Sequence, residues 1–469
     1  MHTSRATQTY CVRQYFCTRR RRLRTVMREP LFFPGQFCTG PREDPDHTSA
    51  LIRLCASRHF IAADRMDGDS LRRGSHSYGP LGTQLKKNIL ERWWGSVVMS
   101  RAQVFGISTL HQRRGSPTTR ERALRLVDWD ALQSALRQEA LSRQELVEAV
   151  ERSLTDGVAV RGSLLEGALD QYVPSLELVN RKLPFGLAET GVCYQPVVAH
   201  TEGTTRPGEV TRASLVWFCS PRTAVQWLDY WARQRLLWWR KFALGPSNFS
   251  SSEFEEVEEV EEEEGKTVKG VRILYHFPWG LEPLETLRGL GDRELLQRHQ
   301  GSRAKLQCRD ERKSVVPHVV SVSADMDRGL LAYLYDSLQQ VKKVDSKQRL
   351  HQKKVLKLHP SLAPVKVALD MGRGPTMDLR QVCEGLLQEL LESGISVWPG
   401  YLETMPSSME QLHTKYDEMG VLFTVLISDT TLENGVAQVR NRDTTIREMM
   451  HVSEIKDFLA KYITAAEKT

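Results

Sequence analysis

The C-terminal quarter of the chain alternates between short apolar runs and helical repeats, and this alternation constrains the fold more than any other feature. Short apolar runs predict strands, and apolar residues spaced three and four apart predict helices. The pattern predicts strands over residues 365–369, 395–398, 422–427 and 436–440, and helices over 379–391, 409–419 and the C-terminal segment. Asn434-Gly435 predicts a two-residue hairpin turn before the last strand. Residues 356–469 are therefore predicted to form a compact α/β domain.

The first 28 residues contain eight arginines and no acidic residue. Ser, Thr and aromatic residues fill the gaps, without the apolar segment that a secretory signal needs. This composition is typical of a mitochondrial transit peptide, so residues 1–47 are predicted to be a transit peptide and linker. The alternative is a basic tail that binds nucleic acid or nuclear import factors.

The charge of the chain is unevenly distributed. Its net charge is +7, and it falls to −1 without the eight N-terminal arginines. Residues 253–264 contain nine glutamates, which predict an acidic surface loop over residues 245–270 because like charges repel one another. A DNA-mimicking acidic segment is the less favoured alternative. The remainder of the chain is mildly basic, so any nucleic-acid binding has to come from local patches.

Several classes of protein are disfavoured by what the sequence lacks. No run approaches the roughly 20 apolar residues of a membrane span. The eight cysteines are scattered, without a C-x-x-C pair. The histidines have no short spacing to cysteines or carboxylates, so no metal and no cofactor are predicted.

Residues 128–180 show helical spacing, and Ser142 with Glu145 forms a capping-box pattern at the start of one helix. A further stripe continues at steps of three and four, although Pro174 interrupts it. The stripe consists of Leu165, Leu169, Tyr172 and Leu176. It predicts either a bundle with a second copy of the chain or ordinary packing within the chain's own core.

The C-terminal region resembles the anticodon-binding domain of class II aminoacyl-tRNA synthetases, and glycyl-tRNA synthetase most closely. The residues that carry the resemblance are 362–369, 415–420 and 440–444, with upstream matches at 79–88, 93–94, 184–191, 317–320 and 327–328. The resemblance implies an α/β (α+β) fold. It consists of an antiparallel-sheet core over residues 48–355 with a helical dimerisation insertion at 121–180, followed by an anticodon-binding-like α/β domain over 356–469.

The synthetase motifs have lost the groups that catalyse adenylation. The family's second motif places an Arg and a Glu at the ATP site, and the matching residues here are Gln195 and Val197. The third motif's Glu and Gly are replaced by Ser321 and Asp325, and Arg328 alone is retained. Loss of one preorganised charge removes about 3 kcal/mol of transition-state stabilisation, so the chain is predicted not to be an enzyme.

A catalytically inactive relative of glycyl-tRNA synthetase with a mitochondrial leader resembles the accessory subunits of mitochondrial DNA polymerases. The runs that carry this closer resemblance are 214–218, 226–229, 238–242, 246–252 and 356–364. The resemblance implies a homodimer in the matrix nucleoid that binds the catalytic subunit and double-stranded DNA, with no membrane partner. It would raise primer-template affinity and processivity. The alternatives are a functioning mitochondrial glycyl-type synthetase and a tRNA- or RNA-binding regulator.

Two basic clusters are candidates for DNA contact. They are Arg303, Lys305, Arg309, Arg312 and Lys313, and then Lys342, Lys343, Lys347, Arg349, Lys353, Lys354 and Lys357. Neither cluster contains aromatics arranged for stacking, which favours phosphate contacts without sequence reading; a solvated charged face is the alternative.

Two further surfaces are predicted. Trp227, Trp231 and Trp238 lie at helical spacing, which favours the core face of a helix over stacking on single strands. For the catalytic subunit, the predicted contact is the hairpin and strand of the C-terminal domain, through Gly435, Val436, Gln438 and Arg440.

Overall fold

The computed structural model describes residues 45–62, 67–73, 76–113, 124–137, 142–156, 158–194, 208–258, 266–299, 303–311, 313–344, 350–403 and 408–468. Most of the predicted transit peptide lies outside these ranges, as do Gln195, Val197, Arg312, Lys347 and Arg349.

The core region is built on one large sheet. Its strands are β3 (Val104–Gly106), β7 (Phe185–Tyr194), β8 (Glu209–Cys219), β9 (Phe249–Glu258), β10 (Lys266–Phe277), β11 (Gly280–Gly291) and β14 (His318–Asp325). The seven strands lie in the order β3-β7-β8-β14-β11-β10-β9, and every neighbouring pair is antiparallel except β3 with β7. This confirms the predicted antiparallel-sheet core.

Helices cover the sheet and bury aromatic side chains against it. The helices and short strands of the core region are α1 (Pro45–Ser57), β1 (Ile61–Ala62), α2 (Gly68–Arg73), β2 (Ser77–Tyr78), α3 (Pro80–Trp94) with a π-helical turn at Gly95–Met99, α8 (Ala224–Lys241), α9 (Arg293–Arg298), β12 (Cys308–Asp310), β13 (Lys313–Val315) and α10 (Met326–Ser337). Trp231 and Trp238 of α8 are 1 and 7% exposed, and Trp227 packs against the same core, which also buries Trp217 of β8. The core alternative for the tryptophan run is therefore confirmed.

The predicted helical insertion at 121–180 contains helices and two strands of a small sheet. Its elements are β5 (Arg125–Leu126), α4 (Trp129–Leu136), α5 (Arg143–Asp156), β6 (Val158–Val160), α6 (Leu165–Asp170) and α7 (Tyr172–Ser175), and the third strand of the small sheet, β4 (Gln112–Arg113), precedes the insertion. The capping box is present, because the Ser142 amide donates to Glu145 Oε2 over 2.8 Å and the Glu145 amide donates to Ser142 Oγ over 3.3 Å.

The predicted acidic loop at 245–270 is wrong over residues 249–258 and 266–270, which form strands, and residues 259–265 lie outside the described ranges. Residues 249–258 form β9, which pairs with β10 over ten residue pairs. The charge repulsion that predicts a loop is offset by cations on the neighbouring strands. Arg272 and Arg288 bind Glu256 at 2.6 and 3.3 Å, and Lys269 binds Glu255 at 3.1 Å. The backbone ladder then holds these residues as an edge strand.

A two-stranded ribbon and a linker connect the core region to the C-terminal region. The ribbon consists of β15 (Leu338–Val344) and β16 (Leu350–Leu356), paired antiparallel. Residues 357–366 form the linker. The C-terminal elements are β17 (Val367–Met371), α11 (Thr376–Glu392), β18 (Val397–Pro399), α12 (Met409–Met419), β19 (Phe423–Ile427), α13 (Asp429–Asn434), β20 (Val436–Asn441), β21 (Arg447–His451) and α14 (Val452–Lys468).

The C-terminal sheet has the order β18-β17-β19-β20-β21. β17 is parallel to β18 and β19, whereas β19, β20 and β21 are antiparallel. The predicted hairpin at Asn434-Gly435 is wrong, because these residues end helix α13. Gly435 has φ +74° and serves as the left-handed C-cap. The same dipeptide suits both structures, since each needs positive φ at the glycine.

Candidate nucleic-acid and subunit interfaces

The residues at the synthetase-like motif positions serve the fold of this chain. Ser321 is buried on β14, where its backbone pairs with Arg288 and Val216. Asp325 caps helix α10 by accepting a 2.9 Å hydrogen bond from the backbone amide of Arg328. A carboxylate at this position satisfies an amide that would otherwise lack a partner.

The retained Arg328 is engaged by oxygens of the chain itself. Its Nη1 lies 2.9 Å from Glu282 Oε2 and donates to the carbonyl of Arg72 over 3.0 Å. The guanidinium also lies 5.9 Å from the centroid of the Phe277 ring. Only 8% of the side chain is exposed, so its charge is directed at the protein interior rather than at solvent.

The first basic cluster surrounds the short hairpin of β12 and β13. Arg309 pairs with Ser314 in this hairpin, and Arg309 and Lys313 are both exposed. Arg303 and Lys305 are exposed on the turn before it, with Arg303 Nη2 3.8 Å from Asp292. Arg309, Lys313 and Lys305 therefore present charge to solvent on one small element, as phosphate contact requires.

The second cluster divides between the ribbon strands. Lys342 and Lys343 lie on β15, opposite Gln352 and His351 of β16. The predicted DNA contact of Lys353 is wrong, because its Nζ lies 2.5 Å from the buried Asp417 of α12. Lys354 on β16 is partly exposed. The structure thus brings the ribbon against α12 and assigns one of its lysines to an internal ion pair.

The stripe predicted to form a dimer interface packs within the chain's own core. Leu169, Tyr172 and Leu176 are at most 1% exposed, and Leu165 packs against the same cluster. The Tyr172 hydroxyl donates to the carbonyl of Leu306 over 2.7 Å. Periodicity alone could not distinguish the two uses of this stripe, because both need the same apolar spacing. The alternative in which this stripe contacts a second copy of the chain is therefore wrong for these buried residues.

Exposed apolar side chains occur instead on α4, α5 and β5 and in the segment just before β4. The side chains are Leu110, Leu126, Trp129, Leu136 and Val147, with exposed fractions of 83, 52, 42, 51 and 40%. Exposed apolar groups concentrated on one substructure mark protein contacts in soluble proteins.

The predicted polymerase contact is only partly exposed. Val436 and Gln438 on β20 are half-buried, but Arg440 is 5% exposed and forms a double hydrogen bond to Asp417 at 2.9 and 3.0 Å. Arg440 is therefore a buried ion-pair residue and not a contact. The exposed edge of this sheet is β21, where Met449 is 57% exposed, with Ile446 just before it at 56%.

Within the described ranges, no helix is long and apolar enough to cross a membrane. The same part of the chain contains no group of three or more His, Cys, Asp or Glu residues placed to hold a metal ion.

Comparisons with known proteins show the relationships of the whole chain. A family model described as an anticodon binding domain matches residues 365–462. DNA polymerase subunit gamma-2 of Mus musculus is 53% identical over 431 residues, covering 90% of this chain and 92% of the mouse protein. This chain belongs to the DNA polymerase subunit gamma-2 family. The mitochondrial family member of Xenopus laevis is 51% identical, covering 89% of this chain and 88% of the frog protein.

The subunit gamma-2 family shares its architecture with tRNA ligases. The glycine–tRNA ligase of Thermus thermophilus is 25% identical over 504 residues, covering 87% of this chain and 97% of the ligase. The similarity thus extends over both the sheet-based core and the C-terminal α/β region. The class II synthetase-like fold predicted from the sequence motifs is confirmed, and the resemblance to the polymerase accessory subunits is confirmed with it.

Proposed function

We propose that this chain is the non-catalytic accessory subunit of the mitochondrial DNA polymerase, with the catalytic subunit and DNA as its partners. The observation that carries this proposal is the 53% identity to DNA polymerase subunit gamma-2 over 90% of the chain. The engagement of Arg328 by Glu282 and the backbone supports a role without adenylation, since the retained cation is already neutralised. The arginine-rich start of the sequence supports mitochondrial import, to the matrix and its nucleoids.

We propose a division into a synthetase-like core over residues 48–355 and a C-terminal domain over 356–469. The core carries the self-association surface, through the exposed apolar residues on α4 and α5. Replacing Trp129 and Leu136 together with Glu should give monomers, because burying unpaired carboxylates costs several kcal/mol. The matched control is Leu237→Glu with Leu244→Glu, two exposed leucines in and just after helix α8. If light scattering still reports a dimer for the Trp129 and Leu136 variant, the self-association surface lies elsewhere.

Double-stranded DNA is proposed to contact the β12–β13 hairpin and the ribbon. Neutralising Arg309, Lys313 and Lys354 should weaken duplex binding without changing sequence preference. The log–log salt dependence should flatten by about 0.9 per lost phosphate contact. Neutralising the exposed Arg373, Arg380 and Lys461 of the C-terminal region removes the same three charges and serves as the control. If the salt dependence of duplex binding is unchanged in the first variant, these cations do not contact DNA phosphates.

The decisive experiment is primer extension by the catalytic subunit with and without this chain, at moderate salt and with a heparin trap. The proposal predicts longer products per binding event when the chain is present. Equal product lengths would refute it. Glycine-dependent ATP–pyrophosphate exchange, measured on the same preparation, tests the synthetase alternative. Competition between tRNA and duplex DNA tests the RNA-binding alternative.

A further inference from the structure

A set of ionisable groups meets where the linker, the core region and the C-terminal region join. Lys366 lies at the end of the linker, immediately before β17. The charged side chains from the neighbouring elements are Arg92 of α3, Lys241 of α8, Arg442 after β20 and Glu467 of α14, with His359 in the linker itself. Cations therefore outnumber anions around Lys366.

Contacts in this cluster hold the two regions together. Arg92 Nη2 lies 2.6 Å from Glu467 Oε1, and Lys241 Nζ donates to the Glu467 carbonyl over 2.6 Å. Both bonds fasten the end of α14 to helices of the core region. Arg442 donates from its Nη atoms to the carbonyls of Leu356 and Leu358, at 3.2 and 2.9 Å, and so fixes the start of the linker from the C-terminal side.

Lys366 closes the linker through two neutral acceptors. Its Nζ donates to the carbonyl of Pro360 and, over 2.8 Å, to that of Ala363. From the core side, the side-chain amide of Asn88 donates to the carbonyls of Leu362 and Ala363. Among the residues the structure describes, Lys366 has no ion pair with a carboxylate. Two acceptors match the two N–H groups of a neutral amine, whereas an ammonium carries three donors and a charge.

We propose that Lys366 is a proton-sensitive latch between the core region and the C-terminal region: the neutral amine keeps the linker closed, and its protonation loosens the junction. A charge at this position lies near Arg92 and Arg442, and the Glu467 carboxylate among these neighbours is already paired with Arg92. The latch is a property of the fold and does not depend on the proposed polymerase role.

The electrostatics of the junction agree with this geometry. Burial, with smaller contributions from Arg92 and Arg442, lowers the pKa of Lys366 from 10.5 to about 7, and the Glu467 carboxylate opposes this shift only in part. Burial likewise lowers the pKa of His359 to about 4, and the His359 Nδ1 accepts from the amide of Ser361 over 3.2 Å. Both bases are therefore neutral at pH 8, in a place where additional positive charge is unfavourable.

The sign of the pH effect follows from linkage. Between about pH 7 and the unfolded value of 10.5, the unfolded chain binds a proton at Lys366 that the folded chain does not. The free energy of unfolding therefore rises with pH across that window. Below pH 7, the folded chain is destabilised by the full cost of holding the charged Lys366. The opening constant of the junction should fall by up to about tenfold for each pH unit.

The test is thermal unfolding of the full-length protein between pH 7.0 and 8.5, in a buffer whose pH changes little with temperature. Few other shifted groups titrate there, because the pKa values of His359 and His413 are about 4 and those of Cys55, Cys219 and Cys383 are about 12. We expect the Tm of the wild type to rise by about 2 °C over this range. A flat or falling Tm would overturn the latch.

Two variants locate the effect. Lys366→Gln supplies two N–H donors and never carries a charge, so its Tm should show little of the rise. Lys456→Gln removes a surface lysine of α14 that binds Glu389, and its Tm should rise with pH as much as that of the wild type. Hydrogen exchange of the α14 peptides, corrected for the intrinsic rate, should slow from pH 7.0 to 8.5 in the wild type and in Lys456→Gln only. If the Tm of Lys366→Gln rises with pH as steeply as that of the wild type, another group causes the pH dependence and the proposal is rejected.

Discussion

The core region and the C-terminal region bury ionisable groups in different ways. In the core, Arg235 and Glu285 form an ion pair at 2.9 Å with exposures of 2 and 0%, and Arg161 and Glu189 form another at 2.7 Å. Around the C-terminal sheet, the buried Asp370 and the partly buried Lys366 have neutral partners instead. A charge is kept where a counter-charge is in contact and is given up where only hydroxyls or carbonyls are available.

This difference determines which region responds to pH. A paired charge far from its pKa contributes the same stability throughout the neutral range. An unpaired buried group has its pKa moved toward neutrality and so titrates there. We therefore expect the stability of the core region to change little with pH in the neutral range, and the stability of the C-terminal region and its junction to depend on pH.

The largest effect should come from breaking the core pair. Glu285 accepts from Arg235 Nε at 2.9 and 3.1 Å and from the indole of Trp239 at 2.7 Å. Glu285→Gln leaves the Arg235 charge without a counter-charge in the interior, which should lower the free energy of unfolding by about 3–5 kcal/mol. Urea denaturation followed by tryptophan fluorescence measures this loss.

A matched control is available at the sheet edge. Glu256 also binds two arginines, but its side chain is 41% exposed. Glu256→Gln should cost less than about 1 kcal/mol, since solvent screens exposed pairs. Equal losses for the two variants would show that burial does not determine the strength of these pairs.

Among the described residues of the C-terminal region, Asp417 and Arg440 form an ion pair in which both side chains are buried, and this pair tests whether pairing or location matters. Asp417 is 1% exposed and binds Arg440 of β20 and Lys353 of the ribbon. Asp417→Asn should lower stability by about 2–4 kcal/mol, because two cations then share one neutral acceptor. The loss should be constant between pH 6.5 and 8. A pH-dependent loss would mean that location, not pairing, sets the pH response of the region.

Much of this arrangement could be predicted from the sequence, and the misses have a common cause. The alternation over 365–462 predicted the C-terminal strands and helices, because periodicity records which face of an element is buried. The stripe at Leu165 and Leu169 could not reveal whether its partner is the same chain or another. The strand at Glu253 and Glu256 was missed because its counter-charges, Arg272 and Arg288, come from other strands.

The candidate interfaces show the same limit. The charge of Lys353 and Arg440 could be identified from the sequence, but not that Asp417 binds both of them in the interior. Composition identifies cations, and only the fold decides whether they face solvent. Gly435 was singled out correctly as a residue with positive φ, yet it ends a helix rather than forming a hairpin.

The smallest expected effect concerns Asp370, and it has the opposite sign. Asp370 is 2% exposed, and its Oδ1 accepts one 2.9 Å hydrogen bond from the Tyr416 hydroxyl. Burial raises the pKa of Asp370 from 3.8 to about 6. Because the folded chain then binds a proton more tightly than the unfolded chain, the stability from this group falls as pH rises from about 4 to about 6 and is lost above that.

Asp370→Asn keeps the acceptor for Tyr416 and removes the charge. The variant should therefore be more stable than the wild type by about 1–2 kcal/mol at pH 7, and the gain should shrink toward zero near pH 4. The exposed Asp457→Asn of α14 serves as the control and should show no such pH-dependent gain. Urea denaturation at pH 4.5, 5.5 and 7 measures the difference. A variant less stable than the wild type at pH 7 would mean that Asp370 is held as a carboxylate by a counter-charge, and the contrast between the two regions would then not hold at this site.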